Sequence, residues 1–178
     1  MRKSVTLYNV IFPVWMLILI PTVWIVVLPA NFIIDSLVLL LAFHLLKLSD
    51  RKTLYKQSIL KVWGFGFLAD MIGAIVLLTV SFAESAFSGS DSATWRWFYD
   101  NVTGPLGYNA FKSPYALFVA LLAIAGAGAL IYLFNYKVSF KSWPVEDREK
   151  KKAALLLAVV TAPYTMLIPA SWLYHSTW

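Results

Sequence analysis

Apolar residues along the chain gather into five long runs, at about 8–28, 30–48, 62–82, 113–136 and 153–174, separated by short polar or charged stretches. Each run is close to the twenty residues an α-helix needs to cross a hydrocarbon core of ~30 Å. The pattern predicts an all-α, polytopic membrane bundle of five spans, forming a single transmembrane domain over residues 1–178. The first run is interrupted only by Pro13 and Pro21. It is longer than a signal-peptide core and no small-x-small cleavage site follows, so it is expected to remain as a span.

Pro29, Ala30 and Asn31 predict a tight break that folds the first two spans into a helical hairpin. Further on, Ser142-Trp143-Pro144-Val145-Glu146-Asp147 joins a serine cap, an early proline and two acids in one turn. That combination announces a helix start, and the helix is expected to run unbroken through the fifth span. Residues 84–112 are too hydrophilic for a sixth span. This connector contains Trp95-Arg96-Trp97-Phe98-Tyr99, read as an aromatic segment lying at a membrane interface.

Composition strengthens the membrane reading. Of the 178 residues 60% are hydrophobic and 13% charged, against roughly 45–50% and 25% in soluble domains, which excludes a soluble globule. Mean hydropathy is +0.71. A net charge of +6 would suggest a nucleic-acid partner in a soluble protein. Here thirteen lysines and arginines fall on the side of the N-terminus and only Arg96 and Lys112 on the other, so nucleic acid is not expected. The bias predicts a cytoplasmic N-terminus and an external C-terminus, with the basic residues attracting anionic lipid headgroups at ~1 kcal/mol each. Short loops without a cleavable signal point to a bacterial inner (plasma) membrane.

Few residues offer chemistry. There is no cysteine, and the two histidines, His44 and His175, are predicted on opposite sides of the bilayer, so no metal site and no cofactor is expected. An intramembrane carboxyl group is a functional candidate by default, because a charge at the bilayer centre costs at least ~2.5–3.5 kcal/mol. Asp70 is placed at the midplane by the rise of ~1.5 Å per residue above Lys61. Thr161 and Tyr164 reach a similar depth, and the three form a candidate ion or proton site. No cation is predicted at that height, so Asp70 is expected to be neutral and to donate to a carbonyl freed by Pro21 or Pro169. Asn31 and Asp35 share a face near the outer end of the second span and form a candidate outer mouth, with Asp35 expected to pair with Lys112 or Arg96.

Small residues mark close helix approach in membranes, so Gly66 and Gly73, and Ala125 and Ala129, are expected to pack against neighbouring helices. Pro13-Val14-Trp15-Met16-Leu17-Ile18 with Pro21 and Trp24 echoes Pro163-Tyr164-Thr165-Met166-Leu167-Ile168 with Pro169 and Trp172. The two copies differ by a gap of two residues, and in so biased a composition the echo is read as coincidence. Five thin spans with Gly- and Ala-rich faces favour a membrane subunit or accessory protein that binds another membrane protein or its own copies. The alternative is a small oligomeric proton- or cation-coupled transporter or channel built on Asp70. An enzyme is not expected; the nearest enzymatic reading is lipid chemistry at the outer leaflet.

Overall fold

The computed structural model describes residues 13–83 and 93–172, and among them all regular structure is helical. Four principal helices build the molecule: α1 (Trp24–Leu45), α2 (Arg51–Ala83), α5 (Pro114–Phe134) and α6 (Asp147–Val160). Two short helices, α3 (Ala93–Phe98) and α4 (Gly104–Tyr108), belong to the connector. The principal helices pack as a ring: α1 against α2 and α6, and α5 against α2 and α6. Short links at 46–50 and 140–146 make the helices on either side antiparallel.

Among the described residues three segments are long and apolar enough to cross a membrane: Pro21–Leu45, Arg51–Ala83 and Pro114–Ser139. Their outward faces are apolar too, with Ile33, Leu37, Leu60, Leu68, Ile75 and Phe118 all exposed. A bundle as apolar outside as inside is suited to hydrocarbon and would aggregate in water.

The hairpin expected between the first two spans does not form, because α1 runs straight through Pro29. The proline lies in the second turn, where its missing N–H costs one bond, to the carbonyl of Ile25. A turn there would instead strand several backbone groups in an apolar environment, a larger penalty. Close by, the Trp63 indole N–H donates to the Leu28 carbonyl at 2.9 Å and its ring meets Phe32 edge-on at 5.9 Å. The chain does turn after Leu45. Lys47 adopts φ 52°, and the Leu48 and Lys47 amides bond back to the carbonyls of Phe43 and His44. This is a Schellman closure with lysine in the left-handed position, and its apolar anchor Leu48 is buried.

The unbroken rod expected through 153–174 is also overturned. Helix α6 ends at Val160 and the chain continues in 3-10 turns at Tyr164–Leu167 and Ala170–Trp172. Pro163 lacks the N–H that would reach the Val159 carbonyl and disfavours helical geometry in the residue before it. With 14 residues, α6 is ~21 Å long, too short to cross a bilayer by itself. Residues ahead of α1 behave alike, forming 3-10 turns at Val14–Leu19 and Pro21–Val23.

Two apolar cores fill the ring. One, nearer the 46–50 and 140–146 links, gathers Leu39, Phe43, Leu54, Val62, Phe140 and Leu157. The other, nearer the connector, gathers Trp15, Leu77, Ala116, Ala120, Ile124 and Met166. Along α2 the first core reaches Ala69 and the second begins at Ala74. Asp70 lies between them.

Candidate functional site: a carboxyl-lined cavity

Between the two cores is a cavity of about 200 Å³ lined by Asn31, Ile34 and Asp35 of α1, Gly66 and Asp70 of α2, and the stretch from Val160 to Thr165. Three features of the sequence create it. Asp35 is in the middle of α1 and points inward, only 4% exposed. Gly66 leaves it room, since a methyl group added there would lie 3.3 Å from Asp35 Oδ2. Asp70, one turn beyond Gly66, occupies the same face of α2. The third wall is the broken backbone after α6.

The break is stitched by side chains. Tyr164 donates its hydroxyl to the Val159 carbonyl at 2.6 Å, the acceptor that Pro163 leaves without a backbone donor. Thr161 Oγ1 donates to the Leu157 carbonyl at 2.8 Å. Both hydroxyl groups thus spend their protons on the backbone and keep lone pairs free. Asp70 Oδ1 is enclosed with no hydrogen-bond partner among the described residues. No lysine, arginine or histidine pairs with Asp35 or Asp70 among the described residues.

The residues expected at two separate places therefore meet at one. Asp70, Thr161 and Tyr164 share the cavity with Asn31 and Asp35, which sequence spacing had put at an outer mouth. The helix that carries Asn31 and Asp35 begins at Trp24 rather than residue 30, so Asp35 falls in its middle instead of near its start. The expected pairing of Asp35 with Lys112 is not made: Lys112 Nζ lies 4.9 Å over the Tyr108 ring, in the connector. The carbonyls expected to receive a proton from Asp70 are also occupied. Leu17 accepts from the Ile20 amide at 3.1 Å and Thr165 from the Ile168 amide at 3.1 Å.

Among the small residues, Gly73 faces the 3-10 turn beyond the cavity; a methyl there would lie 2.9 Å from Met166 Cε and 3.4 Å from Ala127 Cβ. Ala125 and Ala129 do not pack within the chain. They face outward on α5, whose inward contacts run through Ala116, Ala120, Ala123 and Ala127. Pro163, Ile34 and Val160 are cavity residues that sequence reasoning passed over. The signal for Pro163 was present, a proline in mid-run two residues after Thr161.

Every donor that could hold a cation here is an oxygen: two carboxyl groups, the Asn31 amide, the threonine hydroxyl and backbone carbonyls of the broken stretch. Such a set suits protons, ammonium groups and hard metal ions, and disfavours soft metals. Comparison with protein-family models, curated proteins and solved structures found no match for the chain.

Proposed function

We propose that the chain is an integral membrane protein that binds a proton or cation between Asp35 and Asp70 and works as a small cation-coupled transporter or channel. One observation carries the reading: two carboxyl side chains from neighbouring helices open on one cavity, with no basic side chain among the described residues paired to either, beside a backbone broken by Pro163. A packing anchor needs a partner for its polar atoms, and Asp70 Oδ1 has none among the described residues. Broken helices at mid-depth are the usual form of ion sites in transporters, because freed backbone carbonyls add to the ligand set.

Orientation is part of the proposal. The end holding the 46–50 and 140–146 links carries eleven lysines and arginines of the described residues, and the connector end carries Arg96 and Lys112. The basic end is then cytoplasmic, against anionic headgroups, in a bacterial inner membrane. With α1 as one helix, four passes replace the five read from the sequence. The first is 13–45 and the last is α6 with its 3-10 continuation, so residues 13 and 172 both fall on the connector side. A second reading, a subunit that associates with its own copies or another membrane protein, draws on the outward face of Ala125 and Ala129.

The test is proton and cation flux into liposomes by wild type, Asp35→Asn and Asp70→Asn, each checked for monodispersity. Asparagine keeps the volume and cannot ionise, so both variants should lose flux while remaining folded. Equal flux in wild type and both variants, or no flux in wild type, overturns the reading.

A further inference from the structure

The cavity is closed above and below and opens sideways. Toward the basic end it is sealed by Leu39, Phe43, Val62 and Leu157, none more than 1% exposed. Toward the connector Met166, Trp15 and Leu77 fill the bundle. Its exposed walls are Ile34, Val160 and Tyr164, 48%, 44% and 51% exposed, together with the exposed Thr165, on the outer surface where α1 and the end of α6 meet. Around this mouth the surface is apolar, with Ile33 and Leu37 on one side and Leu155 and Val159 on the other.

A second hollow has two wall residues in common with the first. An apolar groove of about 500 Å³ runs between α5 and α6, lined in part by Leu121, Ala125, Gly128, Ala129 and Leu155. It shares Ala162 and Tyr164 with the carboxyl cavity. Ala125 and Ala129 form its floor on α5, which accounts for their facing outward. Tyr164 is held at the junction by its bond to the Val159 carbonyl.

From the carboxyl cavity, its sideways mouth and the adjoining groove, we infer that the natural cargo is an amphiphilic amine, an ammonium group on a hydrocarbon body, arriving from the membrane rather than from water. This rests on the cation-binding reading above and gives it a substrate class. An inorganic ion entering sideways would have to shed its water in hydrocarbon, a penalty of many kcal/mol. An amphiphilic amine is already concentrated in the bilayer. An ammonium group has three donors and no acceptor. Asp35, Asp70 and the Asn31 carbonyl oxygen supply three acceptors, and the body lies across Tyr164 in the alanine-floored groove.

The experiment is a fluorescence-anisotropy titration of protein in lipid nanodiscs with dansylcadaverine, a primary amine on an apolar fluorescent body. Its N-acetylated form and methylamine serve as comparisons, beside the liposome flux assay. Saturable binding is expected in wild type, weakened at least tenfold by Asp35→Asn or Asp70→Asn and by acetylation of the probe. Ala125→Leu and Ala129→Leu, both on the exposed face, should weaken dansylcadaverine several-fold and leave displacement by methylamine unchanged. Equal binding of the acetylated probe, or of dansylcadaverine to the asparagine variants, shows simple partitioning and overturns the inference. If the amine fails to bind while inorganic cation flux still depends on Asp70, the amphiphile is wrong and the cation site stands. If both fail, the cation site falls as well.

Discussion

Three glycines on one helix have three different surroundings, and replacing each with alanine separates helix propensity, packing and site geometry. Alanine in a helix interior gains roughly 0.5–1 kcal/mol over glycine, so the gain is common to all three. At Gly64 the new methyl meets nothing within 4 Å, and Gly64→Ala should be stabilised by about that amount. At Gly66 the methyl lies 3.3 Å from Asp35 Oδ2, a tight contact. The carboxyl group can retreat a few tenths of an ångström into the cavity, so Gly66→Ala should stay within about 1 kcal/mol of wild type. At Gly73 the methyl lies 2.9 Å from Met166 Cε and 3.4 Å from Ala127 Cβ. Met166 Cε is the free end of a flexible side chain, but it is buried in the connector-side core, so its displacement offsets most of the helix gain and Gly73→Ala should be less stable than Gly64→Ala by about 1 kcal/mol. Reversible unfolding by SDS in mixed micelles measures all three. Gly73→Ala as stable as Gly64→Ala would refute the packing of the 3-10 turn on α2, and a destabilised Gly64→Ala would refute an open face there. Only Gly66→Ala should weaken cation binding without weakening the fold.

Other expectations follow from the same structure. Trp143, 2% exposed, donates its indole N–H to Ser58 Oγ at 2.6 Å, so Ser58→Ala strands a buried donor and should cost about 1–2 kcal/mol in the same assay, with little further loss on adding Trp143→Phe. A cost shared equally by an exposed serine variant such as Ser49→Ala would discount the bond. Asp147 accepts from Lys151 at 2.7 Å and from Tyr136 at 2.8 Å, and these bonds hold its carboxyl below the usual carboxylate range. Their contribution is therefore complete above the unfolded value near ~3.9 and lost as pH falls through the lower, folded value; a carboxyl carbon shift of Asp147 titrating at or above ~3.9 would contradict this. For orientation, Thr94→Cys should react with an impermeant thiol reagent in intact cells, and Ser49→Cys and Ser142→Cys only after permeabilisation; the reverse pattern would invert the proposed topology.

The helical character and the presence of helices long and apolar enough to cross a membrane were legible because they rest on composition and run length, which no tertiary contact can disguise. Element boundaries were not, and both failures concern proline. At Pro29 the sequence suggests a turn, but a proline near the start of a helix sacrifices one bond, whereas a turn among apolar residues sacrifices several. At Pro163 the reverse holds: the run looks continuous, yet the missing N–H and the restriction on Ala162 end α6 at Val160. Depth followed boundaries. Counting ~1.5 Å per residue from a misplaced helix start put Asp35 near a headgroup region, and a correct start carries it to Gly66. The inward direction of Asp35 depends on which face α1 turns toward α2, and nothing local to residues 31–35 encodes that.

The echo between the two proline segments shows how far a local signal reaches. Pro13 and Pro163 each accept, at 3.0 Å, from the amide of the methionine three residues on, Met16 and Met166. Leu17 and Thr165 each accept from the isoleucine three residues on, Ile20 and Ile168. The same proline spacing thus produces the same 3-10 hydrogen bonding twice, since a proline that cannot donate is suited to open a turn, where no donor is needed and its carbonyl accepts from the residue three on. The two-residue difference in gap, which argues against a repeated helix face, has no force once neither copy is an α-helix. The two segments also pack against each other, with Trp15 and Met166 in one core. Where two α-helical half-turns would fill the connector side of the bundle with regular backbone, these thinner turns leave α1 to begin at Trp24 and α6 to stop at Val160. The cavity is bounded by the second of those ends, and its broken backbone follows from where Pro163 stands.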